Sequence, residues 1–170
     1  MKSKVLFSEE VIKKRINEIA KSIKKDLGDE DLVVIALLRG GFIYASDLVR
    51  KLGENIIIDF ITTSSYDNNE YSSGIVDILS DIRTNVENKN VLIVDDILDS
   101  GRTLLKVKKH IESKNPQNIK TSVLLDKKSR RIENIEADYV GFEIEDYFVV
   151  GYGLNYGEYF RNIPYIFIFE

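Results

Sequence analysis

Two apolar runs without alternation, Leu32–Leu38 and Val91–Val94, constrain this chain more than any other feature. A strand with one wet face alternates apolar and polar side chains. A run with no alternation buries both faces, so it belongs inside a mainly parallel sheet covered by helices. Parallel neighbours need crossover connections, and the intervening segments carry a helical period. Ser8 stands as an N-cap before Glu9 and Glu10. Val11, Ile12, Ile16, Ile19, Ile23 and Leu27 then recur on one face, and Gly28 ends the segment. Arg39-Gly40-Gly41 breaks the first run, and Phe42–Leu52 reads as a helix stopped by Gly53. Thr103–Ser113 reads as the helix after the second run, and Ile56–Ile61 and Ser122–Leu125 as further strands. The expectation is an α/β fold with a central, mainly parallel sheet flanked by helices, in one domain over residues 1–170.

Two regions stand outside that alternation. Thr62–Gly74 is rich in Ser, Asn, Asp and Tyr. It is about twice as long as an ordinary connection, a length typical of disordered or functional loops. With Ile75–Leu79 as a strand it predicts a flexible flap over about residues 62–76. The last third is aromatic and strand-like at Tyr139–Phe142, Phe148–Tyr152 and Tyr165–Phe169. These segments predict edge strands and a small hood formed by the C-terminal strands and the N-terminal segment.

Composition excludes several classes. The chain has no cysteine, so neither disulfide nor thiolate chemistry is available. Lys+Arg number 24 against Asp+Glu 28, a net charge of −4, without the basic excess of a general nucleic-acid binder. No stretch reaches the ~20 apolar residues of a membrane span, and no secretory signal opens the chain. The expectation is a cytoplasmic protein that engages neither membrane nor nucleic acid.

The chemistry concentrates in VLIVDDILDSGRTL, Val91 to Leu104. Asp95 and Asp96 follow a buried strand at its C-terminal end, where open α/β sheets bind ligands. Two adjacent carboxylates are costly unless hydroxyl groups or a cation bind them; ribose hydroxyls and Mg²⁺ answer that need. Asp99, Ser100, Gly101 and Thr103 then lead into a helix N-terminus, whose open N–H groups and partial positive charge suit phosphate. Together these groups describe a phosphorylated sugar. An Asp-Asp pair after a strand also marks phosphoacceptor receiver domains, and a Ser/Asp-Gly turn is common capping chemistry. No Walker A loop or Gly-x-Gly-x-x-Gly occurs.

The whole string resembles the phosphoribosyl-pyrophosphate signature of type I phosphoribosyltransferases. Leu38-Arg39-Gly40-Gly41, Ser65-Tyr66, Leu125-Asp126-Lys127, Phe148 to Tyr156 and Tyr159-Phe160-Arg161 resemble, in order and spacing, the hypoxanthine (hypoxanthine-guanine) phosphoribosyltransferase family. The resemblance implies a role for each. Asp95 and Asp96 would hold the ribose hydroxyls and Mg²⁺, Asp99 would be general acid/base at purine N7, and Ser100, Gly101, Arg102 and Thr103 would cradle the 5-phosphate. Leu38, Arg39 and Gly40, with Ser65, Tyr66 and Arg161, would bind pyrophosphate, with a cis bond between Leu38 and Arg39. Ile97, Lys127, Phe148, Val149 and Asn155 would face the purine, Lys127 donating to its 6-oxo group.

The family usually carries Asp where this chain has Asn155, whose amide oxygen is a further metal candidate without negative charge. His110, the one histidine, reads as a surface residue late in a helix. The implied reaction is hypoxanthine or guanine plus phosphoribosyl pyrophosphate giving IMP or GMP plus pyrophosphate, by a homodimer or homotetramer. A xanthine-guanine-preferring transferase and an RNA-binding regulator of the same fold are the rival readings. The net charge speaks against the regulator.

Overall fold

A computed structural model describes residues 2–65 and 74–170. Ser8 caps the first helix, its Oγ accepting the Val11 N–H at 3.3 Å. The helix (α1, Glu9–Leu27) buries Ile12, Ile16, Ile19, Ala20 and Ile23. Val11 is 46% exposed, contrary to the expected stripe: at 100° per residue it falls one step off the line through Ile12 and Ile16. Leu32–Leu38 (β2) is buried from Leu32 to Leu37, as its unbroken apolarity requires. The next helix (α2, Phe42–Val49) is shorter than Phe42–Leu52, because Arg50 to Leu52 continue only as turns.

Ile56–Ser65 (β3) is longer than expected. Thr62 to Ser65 are not loop but pair antiparallel with Val76–Ser80 (β4). That short ladder is the base of the expected flap; residues 66–73, Tyr66 among them, lie outside the described residues. Asn90–Leu98 (β5), Arg102–Glu112 (α3), Asn118–Asp126 (β6) and Tyr139–Glu143 (β7) complete the main sheet.

Its strand order is β4-β3-β2-β5-β6-β7. Every pairing is parallel except β3 with β4. One apolar cluster lies under α1 and α2 and a second under α3, so both sheet faces are covered. From β2 the chain moves outward on one side to β3, and β5 to β7 are laid down on the other. The order therefore reverses between β2 and β5, and such a switch point opens a crevice at the carboxyl ends of the two strands. Register sharpens it. β5 pairs with β2 only as far as Val94, opposite Ala36, then continues against β6 alone through Leu98.

A second, antiparallel sheet orders β1 (Ser3–Phe7), β9 (Ile166–Phe169) and β8 (Val149–Val150). The N-terminal part of the hood is thus a regular strand. Its partner lies at the other end of the chain, and pairing at that separation leaves little local trace. The hood's core is a run of edge-to-face rings, with Phe167 and Phe169 at 5.3 Å.

Candidate active site

The crevice between β2 and β5 holds a cleft of about 350 Å³. One wall is the end of β5. The Asp96 N–H donates to Asp95 Oδ1 at 2.8 Å and the Ile97 N–H to Asp96 Oδ1 at 2.7 Å, which fixes both carboxylates by their own main chain. Burial and the adjacent Asp96 raise the Asp95 carboxyl well above its ordinary range. Burial raises Asp96 too, against its hydrogen bonds and the Arg161 charge. Two adjacent carboxylates, Asp95 buried and Asp96 half-buried, favour a cation between them.

The opposite wall is the loop after β2. The Leu38–Arg39 peptide is cis, and Gly40 passes directly over Asp96: a Cβ on Gly40 would stand 1.9 Å from Asp96 Oδ2. Arg161 Nη1 donates to the Gly153 carbonyl at 2.6 Å. Burial and the nearby Arg39 lower its pKa, while Asp96 opposes the shift. Two guanidiniums close enough to repel want an anion between them, as the two carboxylates want a cation. The cleft therefore presents a positive pair and a negative pair side by side, the complement of a metal-bound polyphosphate.

The floor is the turn into α3. Gly101 caps that helix in the left-handed conformation, φ 88°, with no side chain to close the first turn. Ser100 Oγ accepts the Arg102 N–H at 3.3 Å, and Ser100, Gly101, Thr103 and Leu104 line the cleft. A helix N-terminus open in this way suits a phosphate.

Of the expected residues, the structure brings together Leu38, Arg39, Gly40, Asp95, Asp96, Ile97, Asp99, Ser100, Gly101, Thr103, Asn155 and Arg161. It does not bring Arg102 in, because that guanidinium lies against Gly74 at the flap's base. Ser65 contributes its main chain to the ladder with Val76. Lys127, Phe148 and Val149 are not among the residues that line the cleft. Lys127 is buried one residue past β6, its N–H donating to the Leu98 carbonyl at 2.9 Å, with its Nζ 3.8 Å from Asp146. Phe148 is exposed and meets Tyr156 edge-on at 6.0 Å, and Val149 is buried in β8. Thr63 is a lining residue that sequence reasoning missed, since it sits in a polar stretch with no motif of its own.

The donor set fits Mg²⁺. Among the described residues no cluster of three or more His, Cys, Asp or Glu could hold a metal. Asp95 and Asp96 would hold the ion, with substrate oxygens and water in the rest of the shell, the way Mg²⁺ is usually held.

Comparison with known proteins agrees with this geometry. Residues 4–157 match the phosphoribosyl transferase domain family. The chain is 45% identical to the hypoxanthine-guanine phosphoribosyltransferase of Aquifex aeolicus, with 99% of this chain and 96% of that protein covered. It is 42% identical to the enzyme of that name from Bacillus subtilis, with 96% and 91% covered. Among solved structures, a hypoxanthine-guanine phosphoribosyltransferase from Bacillus anthracis superposes with a TM-score of 0.93 at 43% identity, with 98% of each chain covered. The resemblance read from the motifs is thus borne out, and this chain belongs to the phosphoribosyl transferase domain family, in its hypoxanthine-guanine phosphoribosyltransferase branch.

Proposed function

We propose that this protein is a purine-salvage enzyme that transfers the 5-phosphoribosyl group from phosphoribosyl pyrophosphate to hypoxanthine or guanine, giving IMP or GMP and pyrophosphate. The observation that carries this reading is the juxtaposition, in one cleft, of the Asp95–Asp96 pair, the Arg39–Arg161 pair and the open N-terminus of α3. Ser100, Gly101 and Thr103 bind the 5-phosphate, the two aspartates the ribose diol, and Arg39 and Arg161 the pyrophosphate. Ile97 and Phe148 hold the purine ring, Val149 contributes main chain and Lys127 donates to the 6-oxo oxygen. Asp99 takes the proton from N7 as N9 attacks C1 of the sugar and pyrophosphate leaves, and then passes that proton on to solvent or to the pyrophosphate. Bound Mg²⁺ supplies charge neutralisation for the leaving pyrophosphate.

Steady-state turnover of hypoxanthine, guanine and xanthine with phosphoribosyl pyrophosphate and Mg²⁺ tests the reading. Turnover of the first two is expected. Exclusive use of xanthine and guanine, or no turnover, would overturn it.

The reading includes a homo-oligomer in the cytoplasm. On β3, Ile58 and Phe60 point to the same face two residues apart and are exposed at 48% and 47%, apolar area of the kind a second copy buries. No helix among the described residues is long and apolar enough to cross a membrane.

Lys127→Ala should raise the KM for hypoxanthine and guanine roughly 10- to 150-fold, the loss of a charged hydrogen bond worth about 1.5–3 kcal/mol. The KM for the sugar substrate should hardly move. Asp146 is not stranded by the change, since Arg130 Nε stays 2.9 Å away. Equal rises in both constants would remove Lys127 from base recognition.

Asn155 donates from Nδ2 to the Gly157 carbonyl at 2.6 Å, which leaves its Oδ1 as the atom able to reach a metal. Asn155→Asp trades that turn bond for a negative charge. The expected result is a lower Mg²⁺ requirement at saturating sugar substrate, together with a stability loss of about 1 kcal/mol from the missing bond. Superimposable Mg²⁺ titrations would show that residue 155 does not serve the metal.

A further inference from the structure

The segment after β6 contains a residue that no reading of the cleft uses. Arg131 follows the 3-10 turn Lys128–Arg130, and its side chain is only 11% exposed although its neighbours Lys128 and Arg130 lie in solvent. Its guanidinium is divided among three acceptors. Nε donates to the main-chain carbonyl of Asp99 at 3.1 Å, Nη1 to the Ile135 carbonyl at 2.7 Å, and Nη2 to the carboxylate of Asp126. Asp126 is the last residue of β6, buried, and burial raises its carboxyl while the Arg131 charge opposes that shift.

The stem of Arg131 also touches the loop it serves. A Cβ on Gly101 would lie 3.1 Å from Arg131 Cδ and 2.7 Å from Ile135 Cγ2. Ser100 is held separately, its carbonyl accepting the N–H groups of Ile132 at 2.9 Å and Glu133 at 3.0 Å. The guanidinium therefore bears on Asp99, while the main chain beside it bears on Ser100.

We infer that Arg131 is a positioning residue for Asp99: braced by Asp126, its planar fork fixes the main chain from which the Asp99 carboxylate is aimed at the purine. It touches no reacting atom. The device also links the two purine-reading elements, because Lys127 directly follows Asp126 and its N–H holds the Leu98 carbonyl beside Asp99. A planar, rigid donor is what this geometry needs. Lysine keeps the charge but offers one point donor on a flexible stem and cannot serve three acceptors in a plane.

The inference rests on the acid/base reading of Asp99, and the test separates the two. Arg131→Lys should lower kcat on the order of tenfold to a hundredfold, the penalty for a reacting group displaced by about an ångström. The KM for phosphoribosyl pyrophosphate should stay near wild type, since Ser100 keeps its own tethers. In an Asp99→Asn background the same substitution should cost almost nothing, because the group it aims has already lost its function. Asp126→Asn is the second variant, should Arg131→Lys fail to fold. It keeps the volume and removes the charge that braces the fork, and it should also lose kcat only when Asp99 is present.

Equal losses in both backgrounds, or a raised sugar KM with unchanged kcat, would overturn the positioning role. Wild-type turnover by Asp99→Asn alone would instead overturn the reading of Asp99.

Discussion

Asp99→Asn is expected to lower turnover about 10²–10⁴-fold, the usual contribution of a positioned acid/base group, while binding of phosphoribosyl pyrophosphate survives. The substitution is nearly isosteric and leaves the main chain that the fold uses here. The Asp99 carbonyl still accepts Arg131 Nε, and the preceding Leu98 carbonyl still accepts the Lys127 N–H. Asp95, Asp96, Ser100 and Thr103, the groups proposed to bind the sugar phosphate, are untouched. What disappears is a carboxylate able to take a proton, since an amide neither gains nor releases one at neutral pH. The loss should therefore appear in kcat and not in the sugar KM, the signature of an interaction made only in the transition state. Measuring both constants decides it. Unchanged kcat would move the proton transfer to another group, and a raised sugar KM with unchanged kcat would make Asp99 a substrate-binding residue.

How much of this was legible in the sequence depends on the range of the forces involved. The capping Ser8, the Ile12–Ile16–Ile19–Ile23 stripe and the doubly buried Leu32–Leu38 follow from local periodicity, so they stand in the structure where the sequence puts them. One wall and the floor of the cleft were legible because one continuous segment, Val91 to Leu104, carries both the carboxylate pair and the turn into α3. Strand β1 was not, because Ser3–Phe7 is held by β9 at the other end of the chain. The direction of Arg102 was not, because motif membership fixes where a residue sits and not which side of the helix its guanidinium takes. Arg131 was hidden for a related reason. Among Lys128, Arg130 and Arg131 the sequence shows only a basic surface run, and burial of one of the three is decided by Asp126 and the Asp99 carbonyl, neither of which advertises a need for a partner.

Gly40→Ala should reduce kcat/KM for phosphoribosyl pyrophosphate by at least about 10²-fold, the cost of misplacing binding groups by an ångström, with the fold intact. The conflict is steric and not conformational, as Gly40 carries no positive φ. The new methyl group would lie 1.9 Å from Asp96 Oδ2 and 2.8 Å from its Cγ, so either the loop or the carboxylate must move. The loop is pinned on two sides. Gly41 sits where a Cβ would be 2.7 Å from the Leu37 carbonyl oxygen, and Gly153 packs so closely that its Cβ would stand 2.3 Å from the Gly40 oxygen. Asp96, half-buried at the cleft's edge, is the softer partner and should rotate away. That displaces a carboxylate proposed to hold the ribose and the metal, and takes the opposing charge from Arg161. Gly28→Ala is the control. It meets nothing within 4 Å but forces alanine to φ 64°, so it should cost about 1 kcal/mol of stability and leave kinetics unchanged. Thermal unfolding and kinetics on both variants separate the mechanisms. A wild-type sugar KM in Gly40→Ala would mean that the loop yields rather than the carboxylate, and that Asp96 is not held against the pyrophosphate loop in the way its contact with Gly40 requires.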